Sequence, residues 1–285
     1  MPVDHYENFP VASLLCPARL RPAIEAIYHF ARTADDIADE GDAAPAERLA
    51  ALASYRAALA AAAAGQATSA WPHVFGPLSA AIARHRLPVE LLDALLDAFI
   101  QDVTVTRYAD RPMLLDYCRR SANPIGRLLL HLYGVGVGVG DLLARSDAIC
   151  TALQLANFWQ DLGVDTRRGR LYLPETDCRR HGVDPADLLA GRDSEATRRL
   201  VTDAVAWARE LMRFGAPLVH AVPGRAGWEL RLVVQGGLRI LERIDRLGGA
   251  TLTQRPTLDW TDAPVLVWRA LRMRREKVAP SARAA

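Results

Sequence analysis

The chain has 285 residues, enough for one large domain or two small ones, and 35 basic residues nearly cancel 33 acidic ones, so a formal charge of +2 gives no bulk electrostatic case for a nucleic-acid partner. Cys16, Cys118, Cys150 and Cys178 are far apart and form no CxxC pair, which argues against both a zinc ribbon and a disulfide framework and fits a reducing cytoplasm. Hydrophobic residues make up 51%, leaving room for a large apolar cavity or peripheral contact at the inner face of a membrane, but the weakly polar stretch 128–140 is too short to cross a bilayer as a helix.

The opening MPVDHYENFP is polar, acidic and interrupted by proline, so no export signal is expected. Pro22 suits the first turn of a helix, where its missing N–H costs nothing, and 23–40 is strongly helical. At about 100° per residue, Tyr28, Arg32, Asp35 and Asp39 fall in one stripe with Asp36 beside it, while Ile24, Ile27, Phe30, Ala31 and Ala34 cover the wider opposite side. Further helices are expected over 47–64, 73–87, 88–106 and 113–133. The last must break or kink at Asn123-Pro124, because proline removes a backbone hydrogen bond and pushes the preceding residue out of the α region. Asp93, Asp97 and Asp102 read as surface or supporting positions with no assigned role.

The run GVGVGVG at 134–140 does not fit GxGxxG and follows a helix rather than a strand, so close helix packing or a helix break is expected there. A helix over 146–165 carries Leu153, Leu155, Phe158 and Trp159 as apolar contacts. After Pro174 comes a charged segment, then helices near 194–213 and 226–247, a loop at 248–256 and a short helix near 261–275. No β-alternation, βαβ unit, repeat or linker is visible. The expected fold is all-α, one helical domain over 1–275 enclosing a core or central apolar cavity, with a disordered tail at 276–285.

Chemistry concentrates in NFWQDLGVDTRRGRLYLP, residues 157–174. Asn157, Asp161 and Asp165 recur at i, i+4 and i+8 and would form one polar stripe on a helix. Like charges at that spacing repel, and a shared divalent cation relieves them. Arg167, Arg168 and Arg170 follow, so acid, metal and base together suggest a handle for a phosphorylated ligand. A solvated helix face is the alternative reading of either acidic stripe alone. Two such stripes facing one cavity would hold two or three Mg²⁺ ions against a diphosphate, with apolar helix surfaces around its hydrocarbon tail.

DDIAD at 35–39 and NFWQDLGVD at 157–165, followed by GRLYLP, resemble the two aspartate-rich motifs of the squalene and phytoene synthase family, head-to-head members of the all-α isoprenoid synthases. HYENF resembles that family's opening and places Phe9 at its aromatic position. AIYHFAR supplies its tyrosine and arginine, Tyr28 and Arg32. Tyr117 and Gly126 match its YCxxVAGxVG segment, Gln154 its glutamine before the second motif, Arg170 and Tyr172 its basic-aromatic pair, and Arg255 a late arginine.

Departures are informative. Where relatives usually read RDxxED this chain has Gln160-Asp161-Leu162-Gly163-Val164-Asp165, and where they have VAGxVG it has SANPIG followed by Arg127. ENFPVAS, SANPIGR and NFWQD together resemble the bacterial hydroxysqualene synthase branch of hopanoid pathways. That resemblance implies conversion of presqualene diphosphate and water to hydroxysqualene and diphosphate. Asp35, Asp36, Asp39, Asn157, Asp161 and Asp165 would hold Mg²⁺, and Arg32, Arg127, Arg170 and Arg255 would clamp the diphosphate. Phe9, Tyr28, Tyr117 and Phe158 are candidates to shelter a carbocation, and Asn123, Gln154 and Gln160 to hold the quenching water. No NADPH is expected, and other hopanoid-pathway enzymes are conceivable partners for handing over an insoluble substrate. The alternatives are head-to-head condensation of two prenyl diphosphates on the same fold, and a non-catalytic scaffold.

Overall fold

A computed structural model describes residues 16–136 and 141–274; Phe9 and the segment 276–285 lie outside them. The described chain forms α1 (Arg21–Asp39), α2 (Pro45–Ala63), α3 (Pro72–His85), α4 (Val89–Asp102), α5 (Arg111–Ser121), α6 (Asn123–Leu132), α7 (Leu142–Gln160), α8 (Leu162–Arg167), α9 (Glu175–His181), α10 (Pro185–Leu189), α11 (Glu195–Gly215), α12 (Gly224–Arg246) and α13 (Ala263–Arg272). Two 3₁₀ turns, Ala216–His220 and Trp260–Asp262, lead into α12 and α13. Among the described residues there is no strand, and one isolated bridge joins Arg107 to Leu171. The fold is all-α, as expected.

Local chemistry sets the helix boundaries. Prolines occupy the first turns of α1, α2, α3, α5, α6 and α10, where their fixed φ is already helical. Asp110, Asp184 and Ser194 cap α5, α10 and α11 by accepting from backbone N–H groups. The chain breaks at Ala122, just before Asn123-Pro124, so the segment expected to break or kink there is two helices. Gly134, with φ 68°, follows the end of α6. The expected helix over 146–165 also divides, at Asp161, yet Asp161 N still donates to Asn157 O and Asp165 N to Asp161 O, so the i, i+4, i+8 register survives. The segment after Pro174 holds two short helices, α9 and α10, which a charged, proline-containing sequence gave little periodicity to reveal.

Helix α7 is the central element and packs on α5, α6, α11 and α12. One apolar cluster is built from α1 to α4, with Leu128 and Leu132. A second joins α4, α5, α7, α9, α11 and α12 around Trp159 and Tyr108, and a third gathers α6, α7, α11 and α12 around Ile149, Met212 and Val222. Between the first and third clusters lies a cavity of about 480 Å³, within the range of small-molecule sites. Gly126 permits its close α6–α7 wall, since a Cβ there would sit 2.5 Å from Cys150 Sγ and 2.6 Å from Ser146 Oγ.

Candidate active site at the acidic end of an apolar cavity

Along α1, Ile24, Ile27, Tyr28 and Ala31 line the cavity, and the same face continues into Arg32 and Asp35. Along α7, Ser146, Ile149, Cys150 and Leu153 line it, and their spacing continues through Asn157 to Asp161. Each helix therefore passes from apolar wall to carboxylate as it approaches its C-terminus. A helix C-terminus already presents partial negative charge, so carboxylates placed there need cations nearby.

In this structure arginines meet that need. Arg32 reaches Asp35 at 3.2 Å, Asp36 at 2.7 Å and Glu40 at 2.6 Å. Arg170 lies 2.7 Å and Arg168 3.2 Å from the carboxylate of Asp39. The basic run after the second acidic motif therefore binds the first, which brings the two motifs together. Arg255 grips Asp161 through both Nε and Nη2. Asn157 is exposed at the α7 end.

The loop carrying Arg255 is fixed by Gln160, fully buried, whose Nε2 donates to the Pro256 carbonyl at 2.7 Å. Gly163 completes this seam: its N–H donates to Thr251 O, and a Cβ in its place would meet Leu252 O at 2.2 Å. The extended GRLYLP segment is laid along the chain after α4, with Leu171 N–H donating to Thr106 O and Glu175 N–H to Tyr108 O. Arg170 thereby lies between Asp39 and the Asp102 carbonyl, 3.4 Å away.

Excess negative charge remains. Burial, then repulsion by Asp161 with Asp39 adding, pushes Asp165 up to about 7. Burial, with Asp39 and Asp36 adding, raises Asp35 to about 6 against the pull of Arg32. The Asp35 side chain keeps 46% of its surface exposed, so water softens its shift more. Asp102, to which the sequence assigned no role, belongs to the same cluster. Burial raises it to about 7, with Asp35 and Asp39 adding, although the Tyr117 hydroxyl donates to it at 2.8 Å and Arg170 is near. Its place at the end of an amphipathic helix gave no sign of this, because the acids that face it come from α1. Arg168, from the basic run after the second motif, is likewise drawn in by Asp39.

Several candidates sit elsewhere than expected. Arg127 pairs bidentately with Asp147, at 2.9 and 2.5 Å. At about 1.5 Å of rise per residue, Asp147 lies about 21 Å before Asp161 on α7, so Arg127 does not join the clamp. Asn123 is buried and accepts from Thr151 Oγ1 at 3.0 Å, which ties α6 to α7. Tyr117, Phe158 and Tyr172 form a buried aromatic group with Tyr108, the rings of Phe158 and Tyr172 stacked at 3.7 Å. It belongs to the second core cluster, apart from the cavity wall, where Tyr28 and Tyr133 are the tyrosines. Gln154 is half-buried one turn before Asn157.

The oxygen donors Asp35, Asp39, Asn157, Asp161 and Asp165 suit a hard divalent cation in type and charge. Among the described residues, however, no three His, Cys, Asp or Glu side chains converge tightly enough to hold one; several of the carboxylates are turned onto arginines.

Residues 3–262 match the family model described as squalene/phytoene synthase. The chain belongs to that family. It is 36% identical over 231 residues to the hydroxysqualene synthase of Zymomonas mobilis, covering 80% of this chain and 75% of that protein. It is 31% identical to the phytoene synthase of Thermus thermophilus, covering 92% and 87%. Among solved structures, squalene synthase HpnC from Alicyclobacillus acidocaldarius matches with a TM-score of 0.78 and 39% identity, over 86% of this chain and 90% of that one. This member of the squalene/phytoene synthase family is thus an enzyme of that type, built on the all-α isoprenoid synthase fold.

Proposed function

We propose that this family member converts presqualene diphosphate and water to hydroxysqualene and diphosphate. The observation that carries the reading is the junction of two acidic helix ends, held together by Arg170 and Arg168 on Asp39, at one end of a 480 Å³ apolar cavity. The resemblance to hydroxysqualene synthase supports the choice of reaction.

The diphosphate would take the place of carboxylates now bound by arginine. Arg32, Arg168, Arg170 and Arg255 would then turn to phosphate oxygens, offsetting the charge that grows on the leaving group. Asp35, Asp39, Asn157, Asp161 and Asp165 would hold Mg²⁺, which neutralises the diphosphate and improves it as a leaving group when bound. Heterolysis of the C–O bond leaves the electron pair on diphosphate and a cyclopropylcarbinyl cation in the cavity. Apolar walls keep bulk water out while it rearranges, and the Tyr28 ring offers an aromatic face at the polar end. Tyr28 and Gln154 are our candidates to hold the water that adds to the cation and loses a proton. Gln160 and Asn123 serve instead as positioning residues, through Pro256 and Thr151. No electron is transferred in this scheme.

Head-to-head condensation of two prenyl diphosphates is the second reading, favoured by the similarity to a phytoene synthase. Supplying purified protein and Mg²⁺ with farnesyl diphosphate alone or presqualene diphosphate alone separates them. Consumption of presqualene diphosphate is expected; use of farnesyl diphosphate only would overturn the proposal.

A further inference from the structure

The cavity runs from Arg32 and Asp35 to a far end near Cys16, Tyr133, Val222, Ala226 and Glu229. On the outer side of that end, Trp228 is 43% exposed, and the Arg231 guanidinium lies 4.7 Å from its ring centroid. Arg231 also donates to the carbonyls of Ala270 and Met273, tying Trp228 to the end of α13. The inner side of α13 and its leading turn is fastened to α12 by Arg239–Asp262 at 2.7 Å and Arg269–Glu242 at 2.6 Å.

The outer side of α13 is apolar. Val267, Trp268 and Leu271 are 49, 53 and 62% exposed, and Trp260, in the turn before the helix, is 85% exposed. On α13, Val267 and Leu271 are one turn apart with Trp268 beside them, on one side of the helix, and Trp260 stands in the 3₁₀ turn that leads into it. Arg272 flanks that side, stacked 4.3 Å from Trp268, Arg274 is exposed just after it, and Arg225 is exposed close to Trp228 in sequence. Among the described residues none of these three pairs with a carboxylate. The sequence continues RREKVAPSARAA from Arg274, adding more basic than acidic residues. Contiguous exposed tryptophan and leucine are uncommon on a monomer without a partner, and tryptophan over apolar side chains with arginines at the rim is the composition of an interfacial membrane helix. No described helix is long and apolar enough to cross a membrane.

We infer that α13, with Trp228 and Trp260, docks on an anionic lipid bilayer and sets the far end of the cavity against it. The basic rim selects the bilayer over a second copy of the chain, whose identical rim would repel it. On the reading proposed above, hydrocarbon would exchange with the membrane through this end while diphosphate stays at the aqueous end; the docking itself does not depend on that reading.

Co-sedimentation of the full-length protein with phosphatidylcholine vesicles, with and without phosphatidylglycerol, tests it. Binding should require the anionic lipid and fall with salt. The double variant Trp268→Glu with Leu271→Glu should lose binding at least tenfold, and Arg272→Gln with Arg274→Gln roughly tenfold or more, with unchanged melting temperature and unchanged turnover of detergent-dispersed substrate. Failure of the wild type to bind anionic vesicles, equal binding by the variants, or a solution dimer that the Trp268→Glu, Leu271→Glu protein loses would each overturn the inference. Absence of turnover with intact vesicle binding would count against the proposed reaction alone.

Discussion

Asp39 receives two arginines from the segment that follows the other acidic motif, which makes Arg170 the side chain through which the halves of the site communicate. Arg170→Gln should lower kcat by about 100-fold or more and leave far-ultraviolet circular dichroism unchanged; near-normal turnover would remove it from the clamp. Asp102 makes a pH-dependent prediction for the metal-free protein. Its folded value, about 7, stands above the ~3.9 of an unfolded aspartate. The folded state therefore holds this proton more tightly, and the stability it contributes is present below about pH 4 and lost as pH rises through about 7. The melting temperature of the wild type minus that of Asp102→Asn should fall from pH 5 to pH 8, whereas a flat difference would place the raised affinity elsewhere. Asp35, Asp39 and Asp161 were legible in sequence because identity and i, i+4 spacing name them, and Arg255 was named only by the resemblance to the family's late arginine. Asp102, and the diversion of Arg127 to Asp147, were not, because both depend on which helices meet.

Helix periodicity revealed α1, α11 and α12 because each has a wide apolar side to bury; α7 is buried nearly all round and the pattern ran through the break at Asp161, whereas Asn123-Pro124 announced the break at Ala122. Short helices such as α9 and α10 are stabilised by caps and neighbours rather than by an amphipathic face, so no pattern announces them. The seam between α8 and the 249–256 loop is the element-level feature on which the site depends most. A side chain at Gly163 would press on Leu252 O and push Arg255 off Asp161. Gly163→Ala should destabilise by about 1–3 kcal/mol and raise the KM for the diphosphate substrate; wild-type stability and KM would mean that the loop yields freely.

At the scale of the whole molecule, the clustered arginines and carboxylates collect at one end of the cavity and its walls are mostly apolar as far as Glu229 at the other, so head and tail binding should separate by mutation. Ala31 lines the cavity one residue before Arg32, so Ala31→Trp should fill the tail space while leaving the arginines and carboxylates in place. On the proposed reaction, calorimetry should find inorganic diphosphate binding with Mg²⁺ retained while turnover of presqualene diphosphate is lost; loss of both would mean that head and tail sites are not independent. An all-α shell around a cavity was legible from hydrophobic content and helix count, but its length and direction depend on packing at residues such as Gly126 and Gly237, whose closeness to α7 the sequence does not encode locally. The most direct test of the account is to supply presqualene diphosphate, Mg²⁺ and no reductant in oxygen-18 water and to analyse the products by mass spectrometry. Hydroxysqualene carrying one oxygen-18 atom, formed in step with diphosphate release, is the predicted result; untouched presqualene diphosphate, in a preparation that does consume farnesyl diphosphate, would contradict it.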